Sequence, residues 1–161
     1  MVACAAASTC PVVSVCAPGR RVPCLDVGRI HAAKLELCEA LEAIADGLPA
    51  RVDRKRCLIV AAALVPILQR GHAYEERYVF PAFEQGGQNC NARRLTVRRL
   101  KVEHVEDECA AQDLADVLFP IGHGAPVDNP EALGFMLRAF FEAVRRHVAF
   151  EREHFFPMTT E

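Results

Sequence analysis

Apolar residues recur every three or four positions along four long stretches of the chain, and each stretch reads as a helix. The first runs from Asp26, a favourable N-cap, to Gly47, with Ile30, Leu37, Leu41 and Ile44 at helical spacing. After the turn "GLPA", a second helix is predicted from about Val52 to about Glu84, with a kink expected at Pro66. The "QGGQN" run breaks it. A third helix is predicted from Asn91 to Leu118, carrying Leu100, Ala111, Leu114 and Leu118 on one side. The stretch "FPIGHGAPVDNP" reads as a loop. Asp128 or Asn129 then caps a fourth helix, with Pro130 in its first turn and Pro157 at its end. Residues 1–25 show no helical period and hold three prolines, so they are predicted to be an irregular or disordered extension. Four long helices, short links and no alternating pattern predict an all-α fold: an up-down four-helix bundle over residues 26–157.

Composition narrows the function classes. Hydrophobic residues make up 52% and charged residues 25%, as in an ordinary soluble domain. A net charge of −2 gives no general attraction to nucleic acid or an anionic membrane. The basic run "RRLTVRRLK" is most simply the wet face of a helix. The longest interior uncharged run, "CLIVAAALVPILQ", has 13 residues and a proline, too short to span a bilayer. The first 19 residues carry no charge, lack a basic start and contain Pro11 and Pro18, which makes a poor signal peptide. None of the eight cysteines forms a C-x-x-C pair. Free thiols in a reducing cytoplasm are the expectation.

Histidine carries the chemistry. His31, His72, His104 and His147 fall one to each predicted helix, on or beside its apolar stripe. Three of them have a Glu four residues on, namely Glu76, Glu108 and Glu151. Residues so spaced share one helix face and can aim nitrogen and oxygen at one point. Each half of the chain therefore reads as a His on one helix, then His-x-x-x-Glu on the next. A single His on an apolar face is most simply a hydrogen-bonded core residue. Four imidazoles and at least two carboxylates turned into one bundle need a shared partner, because burying each alone costs about 1–3 kcal/mol. A metal pair bridged by carboxylates satisfies them together. His123, among glycines and prolines, reads as a loop residue, and His154 as a last-turn cation that suits the helix dipole. Ferritin-like sites need two Glu-x-x-His motifs, and only Glu151 to His154 has that spacing.

The segments "HAYEERYVFPAFE", "EHVEDECAAQDLADVL" and "HVAFEREHFFP" resemble the haemerythrin-like, HHE cation-binding domains. The resemblance covers residues 26–157 and implies a four-helix bundle around a non-haem di-iron site. Matched by position, it implies His31, His72, Glu76, His104, His147 and Glu151 as ligands. Two departures stand out. Oxygen-carrying haemerythrins have His-x3-His on the third helix, where this chain has Glu108, a further candidate ligand. They also have His-x4-Asp on the fourth helix, where this chain has Glu151 at +4 and Arg152 at +5. Both departures resemble the bacterial and regulatory branch more than the oxygen carriers. Two six-coordinate ions offer about twelve positions, and four His with two bridging Glu fill about eight, which leaves room for an external ligand. The expectation is a cytoplasmic protein with two iron ions, or Mn or Zn in their place, that binds or senses O2, NO or a related oxidant. The alternatives are a di-iron enzyme in redox or iron-repair chemistry and a metal-free helical interaction module. No nucleophile or acid/base pair is readable, so an enzyme is the weaker expectation. No nucleic-acid or membrane partner is expected, and no protein partner is named by the sequence.

Overall fold

The computed structural model describes residues 24–85 and 90–155, with side chains described from Val27 onward. The expected extension lies outside these residues up to residue 23, and so does the expected stop at Pro157; Cys24 and Leu25 are helical, so α1 starts before the expected cap at Asp26. The described chain is all helix: α1 Cys24–Gly47, α2 Arg54–Gln85, α3 Cys90–Gly122 and α4 Pro130–Phe155. No strand occurs among the described residues.

Each boundary has a local cause. The Asp53 carboxylate accepts from the Arg56 amide at 3.0 Å and caps α2. Asn129 does the same for α4, accepting from the Ala132 amide at 2.9 Å, with Pro130 at the first helical position. α3 runs past the expected end at Leu118, because Phe119 to Gly122 continue the helix instead of opening a loop. Ile121 is buried there, and the Arg54 guanidinium donates to its carbonyl and to that of Ala125. A cation on the last carbonyls stabilises a helix end. Gly124, at φ +107°, then turns the chain out of the helix. Pro66 lies exposed inside α2. The α-helical register of α2 breaks elsewhere, in a π-helical turn at Glu75–Val79 that is followed by the closing segment Phe80–Gln85.

The helices form a ring in which α1 packs on α2 and α4, and α2 packs on α3. α3 and α4 meet least closely, and clefts of about 510, 360 and 420 Å³ lie along their seam. By length and composition α2 is long and apolar enough to cross a membrane. In the bundle, its Cys57, Val60, Leu64 and Leu68 are core residues.

Two apolar clusters fill the interior. The larger holds Leu37, Leu41, Leu64, Leu68, Ala111, Leu118, Phe141, Val144 and Val148 among others. The smaller holds Val27, Val79, Phe80, Phe83, Val97, Leu100 and Phe155. Along every helix, one polar stretch separates the two. On α1, His31 and Lys34 lie between Val27 and Leu37. On α2, His72 and Glu75 lie between Leu68 and Val79. On α3, His104 lies between Leu100 and Ala111, and on α4, Glu151 lies between Val148 and Phe155. The fold thus assembles a polar layer with apolar packing on both sides.

Candidate metal centre

His31, Lys34, His72, Glu75, His104, His147 and Glu151 are the buried polar and charged residues of the described chain, each at most 5% exposed. All seven belong to this one layer. Elsewhere the described core is apolar, as the cost of burying charge requires.

The imidazoles of His72 and His104 stack with centroids 3.8 Å apart, and the His147 ring lies 5.0 Å from that of His104. Phe80 stacks beneath His104 at 5.3 Å and closes that end of the layer. Ligand atoms of Glu75, His104, His147 and Glu151 all lie within 4.8 Å of one another, close enough to share an ion. His31 Nε2 contacts Glu151 Oε2 at 3.0 Å.

The two nitrogens of each ring have different surroundings. His72 Nδ1 is 2.9 Å from Glu108 Oε1, and His104 Nδ1 is 3.0 Å from Glu76 Oε1. His147 Nδ1 lies 3.3 Å from Glu103 Oε2, in ion-pair range but outside hydrogen-bond geometry. The Nε2 atoms of all three rings are buried without a hydrogen bond, as is Glu151 Oε1. His104 Nε2 is 3.4 Å from Glu75 Oε2, and His147 Nε2 is 3.5 Å from Glu151 Oε1, again without hydrogen-bond geometry. Outer carboxylates on Nδ1 and unsatisfied Nε2 atoms facing inward are what metal-binding imidazoles require. The outer carboxylate fixes the tautomer and leaves the inner lone pair for a cation.

Charge follows the same division. Burial pushes His72 down to about 2, helped by the Lys34 ammonium and the neighbouring rings, so it stays a neutral base. Burial also pulls on His147, but its contact with Glu151 outweighs this and raises it. Burial works to raise Glu151, yet the close approach of His147 and the contact with His31 hold its carboxyl well below the usual range. Neutral imidazole and ionised carboxylate are the ligating forms.

His31, His72, His104, His147 and Glu151 sit in the layer. Glu76 and Glu108 do not. They lie at its rim as outer acceptors for His104 and His72, and Glu76 also faces Lys101 at 3.6 Å. The inner carboxylate of α2 is Glu75, which is fully buried. Glu75 follows His72 by three residues in ordinary α winding, its amide bonding the Gly71 carbonyl, so it shares the inward face. A π turn begins there, closed by a bond from the Phe80 amide to the Glu75 carbonyl, and such turns gather at functional sites. Lys34, Glu75 and Glu103 were missed. A signal for Lys34 was present: it continues the stripe of Ile30, His31, Leu37, Cys38 and Leu41.

A family model, the haemerythrin HHE cation-binding domain, matches residues 27–159. The chain belongs to the haemerythrin family. No curated protein and no solved structure matches it. Within this haemerythrin-family chain, a four-helix fold and a buried His/Glu cluster able to hold a metal stand together. The cleft of about 420 Å³ between α3 and α4 has His147 in its wall, beside Arg99, Glu103, Asp107, Arg146 and Phe150.

Proposed function

We propose that the polar layer holds two iron ions and that the protein binds or senses O2, NO or a related oxidant. One observation carries this reading: the buried, unpaired Nε2 side of His104 and His147 gathers with Glu75 and Glu151 within 4.8 Å, and His72, its own Nε2 buried and unpaired, stacks on His104. His31, His72, His104 and His147, with Glu75 and Glu151, are the proposed ligands. Glu76, Glu103 and Glu108 orient the rings. A bound iron pair would supply reversible redox chemistry and a place for a small ligand. The cleft at His147 suits the approach of a diatomic molecule. Free thiols at Cys38, Cys57, Cys90 and Cys109 fit a reducing cytoplasm.

The ion pairs Lys34–Glu75 and His31–Glu151 favour a second reading, a bundle that needs no metal. That reading satisfies Glu75 and one oxygen of Glu151. It leaves Glu151 Oε1 and the Nε2 atoms of His72, His104 and His147 buried without a hydrogen bond, at about 1–3 kcal/mol each. Metal analysis decides between the two. Anaerobic loading with excess Fe(II) should give about two irons per chain, held through desalting. Near-ultraviolet absorption should then change on exposure to O2 or NO. A reconstituted protein that retains no metal would refute the proposal.

A further inference from the structure

Lys34 is the member of the buried layer that a metal site does not call for. Its side chain is 1% exposed. Its ammonium donates to both carboxylate oxygens of Glu75, at 2.8 and 2.9 Å. Glycine in α2 makes room for its stem: a Cβ on Gly71 would stand 3.0 Å from Lys34 Cε and 3.0 Å from Ile30 Cγ2. The pair is therefore built into the packing of α1 on α2.

We propose that Lys34 makes the two metal positions unequal, so that they fill in a fixed order. This rests on the di-metal reading above. The inner layer offers two carboxylates, Glu75 and Glu151, against one ammonium. With neutral imidazoles, the balance left for cations is a single negative charge. Although Glu75 lies within reach of the same ion, the first ion draws on Glu151, whose Oε1 has no hydrogen bond, and on the imidazoles around it. The second needs Glu75, both of whose oxygens are already engaged, and must enter beside a fixed positive charge in a region of low dielectric. Metal content then becomes graded: at limiting supply the chain holds one ion, and the second enters only when Lys34 releases Glu75.

Anaerobic calorimetric titration of the full chain with Fe(II) tests this. The wild type should show two separate steps, the first tighter by about tenfold or more. Lys34→Met should tighten the second step by about tenfold or more, so that the steps merge. Circular-dichroism melts check that each metal-free variant folds. If Lys34→Met does not fold, Gly71→Ala serves instead. Its added methyl shifts the Lys34 stem while keeping the charge, and the gap between steps should narrow. Two equal steps in the wild type, or an unchanged gap in the folded variants, would overturn the role of Lys34 and leave the proposed function standing. A wild type that takes up no Fe(II) would overturn both.

Discussion

Replacing Glu75 with Gln in the metal-free protein removes the carboxylate that faces the Lys34 ammonium. Both groups are buried, with side chains 1% and 0% exposed, so water cannot take over the lost contact. Breaking a buried ion pair by removing one member costs about 3–5 kcal/mol. For a chain of this length each kcal/mol lowers Tm by about 2–4 °C, so the expected loss is on the order of 10 °C. Glu76→Gln is the matched control one residue away. Its side chain is 37% exposed, and it loses an outer contact to His104 and a loose pair with Lys101, worth about 1 kcal/mol together. Combining Glu75→Met with Lys34→Met should restore most of the loss, since an apolar replacement of both members of a buried pair is often near neutral. Urea and thermal melts of the four proteins with chelator present provide the measurement. Equal losses for the two single variants, or a larger loss for Glu76→Gln, would show that Glu75 does not hold the inward place.

Three further outcomes are expected. Fe(II) at about a hundredfold over its Kd should add about 2.7 kcal/mol to the fold, so chelation should lower Tm by about 5–10 °C; equal melts with and without chelator would count against metal ligation. His72 has a folded pKa pulled from 6.5 to about 2, so its contribution is present above pH 6.5 and is lost as pH falls below it, by up to about 1.4 kcal/mol per pH unit. The raised His147 opposes this in part, and melts of metal-free protein from pH 7.5 to 5 should still fall, with His72→Phe flattening the slope. Among the described thiols, Cys90 and Cys109 are exposed and should react readily with a thiol reagent, whereas Cys38 and Cys57 should react only on unfolding. Burial pushes Cys38 up to about 11, which adds to its protection, and mass spectrometry of labelled peptides checks the order.

The fold was legible because hydrophobic period and caps agreed. The stripes carrying Leu41, Leu68, Leu118 and Val144 fall inside the bundle, and Asn129 with Pro130 opens α4 as its chemistry suggests. One imidazole per helix was legible for the same reason, since His31, His72, His104 and His147 share the apolar faces. The carboxylates were harder. Counting four from His72 gave Glu76, but Glu75, three residues on, shares that helix face, and it is the one that meets the Lys34 ammonium of α1. Counting four from His104 gave Glu108, which reaches across to His72 on α2 and not into the layer. A side chain's target on another helix depends on tertiary packing, which a local spacing rule does not contain. Lys34 was overlooked because lysine is rarely buried. Its place in the stripe makes sense only once Glu75 stands opposite.

Anomalous diffraction from crystals loaded with Fe(II) under anaerobic conditions would locate the ions. Iron peaks should appear inside the polar layer, bonded to the inward Nε2 atoms of His72, His104 and His147 and to oxygens of Glu151 and Glu75. Glu76, Glu103 and Glu108 should stay outside on the Nδ1 sides. Iron found only at surface carboxylates, with those imidazoles unbonded, would contradict a metal centre in this layer.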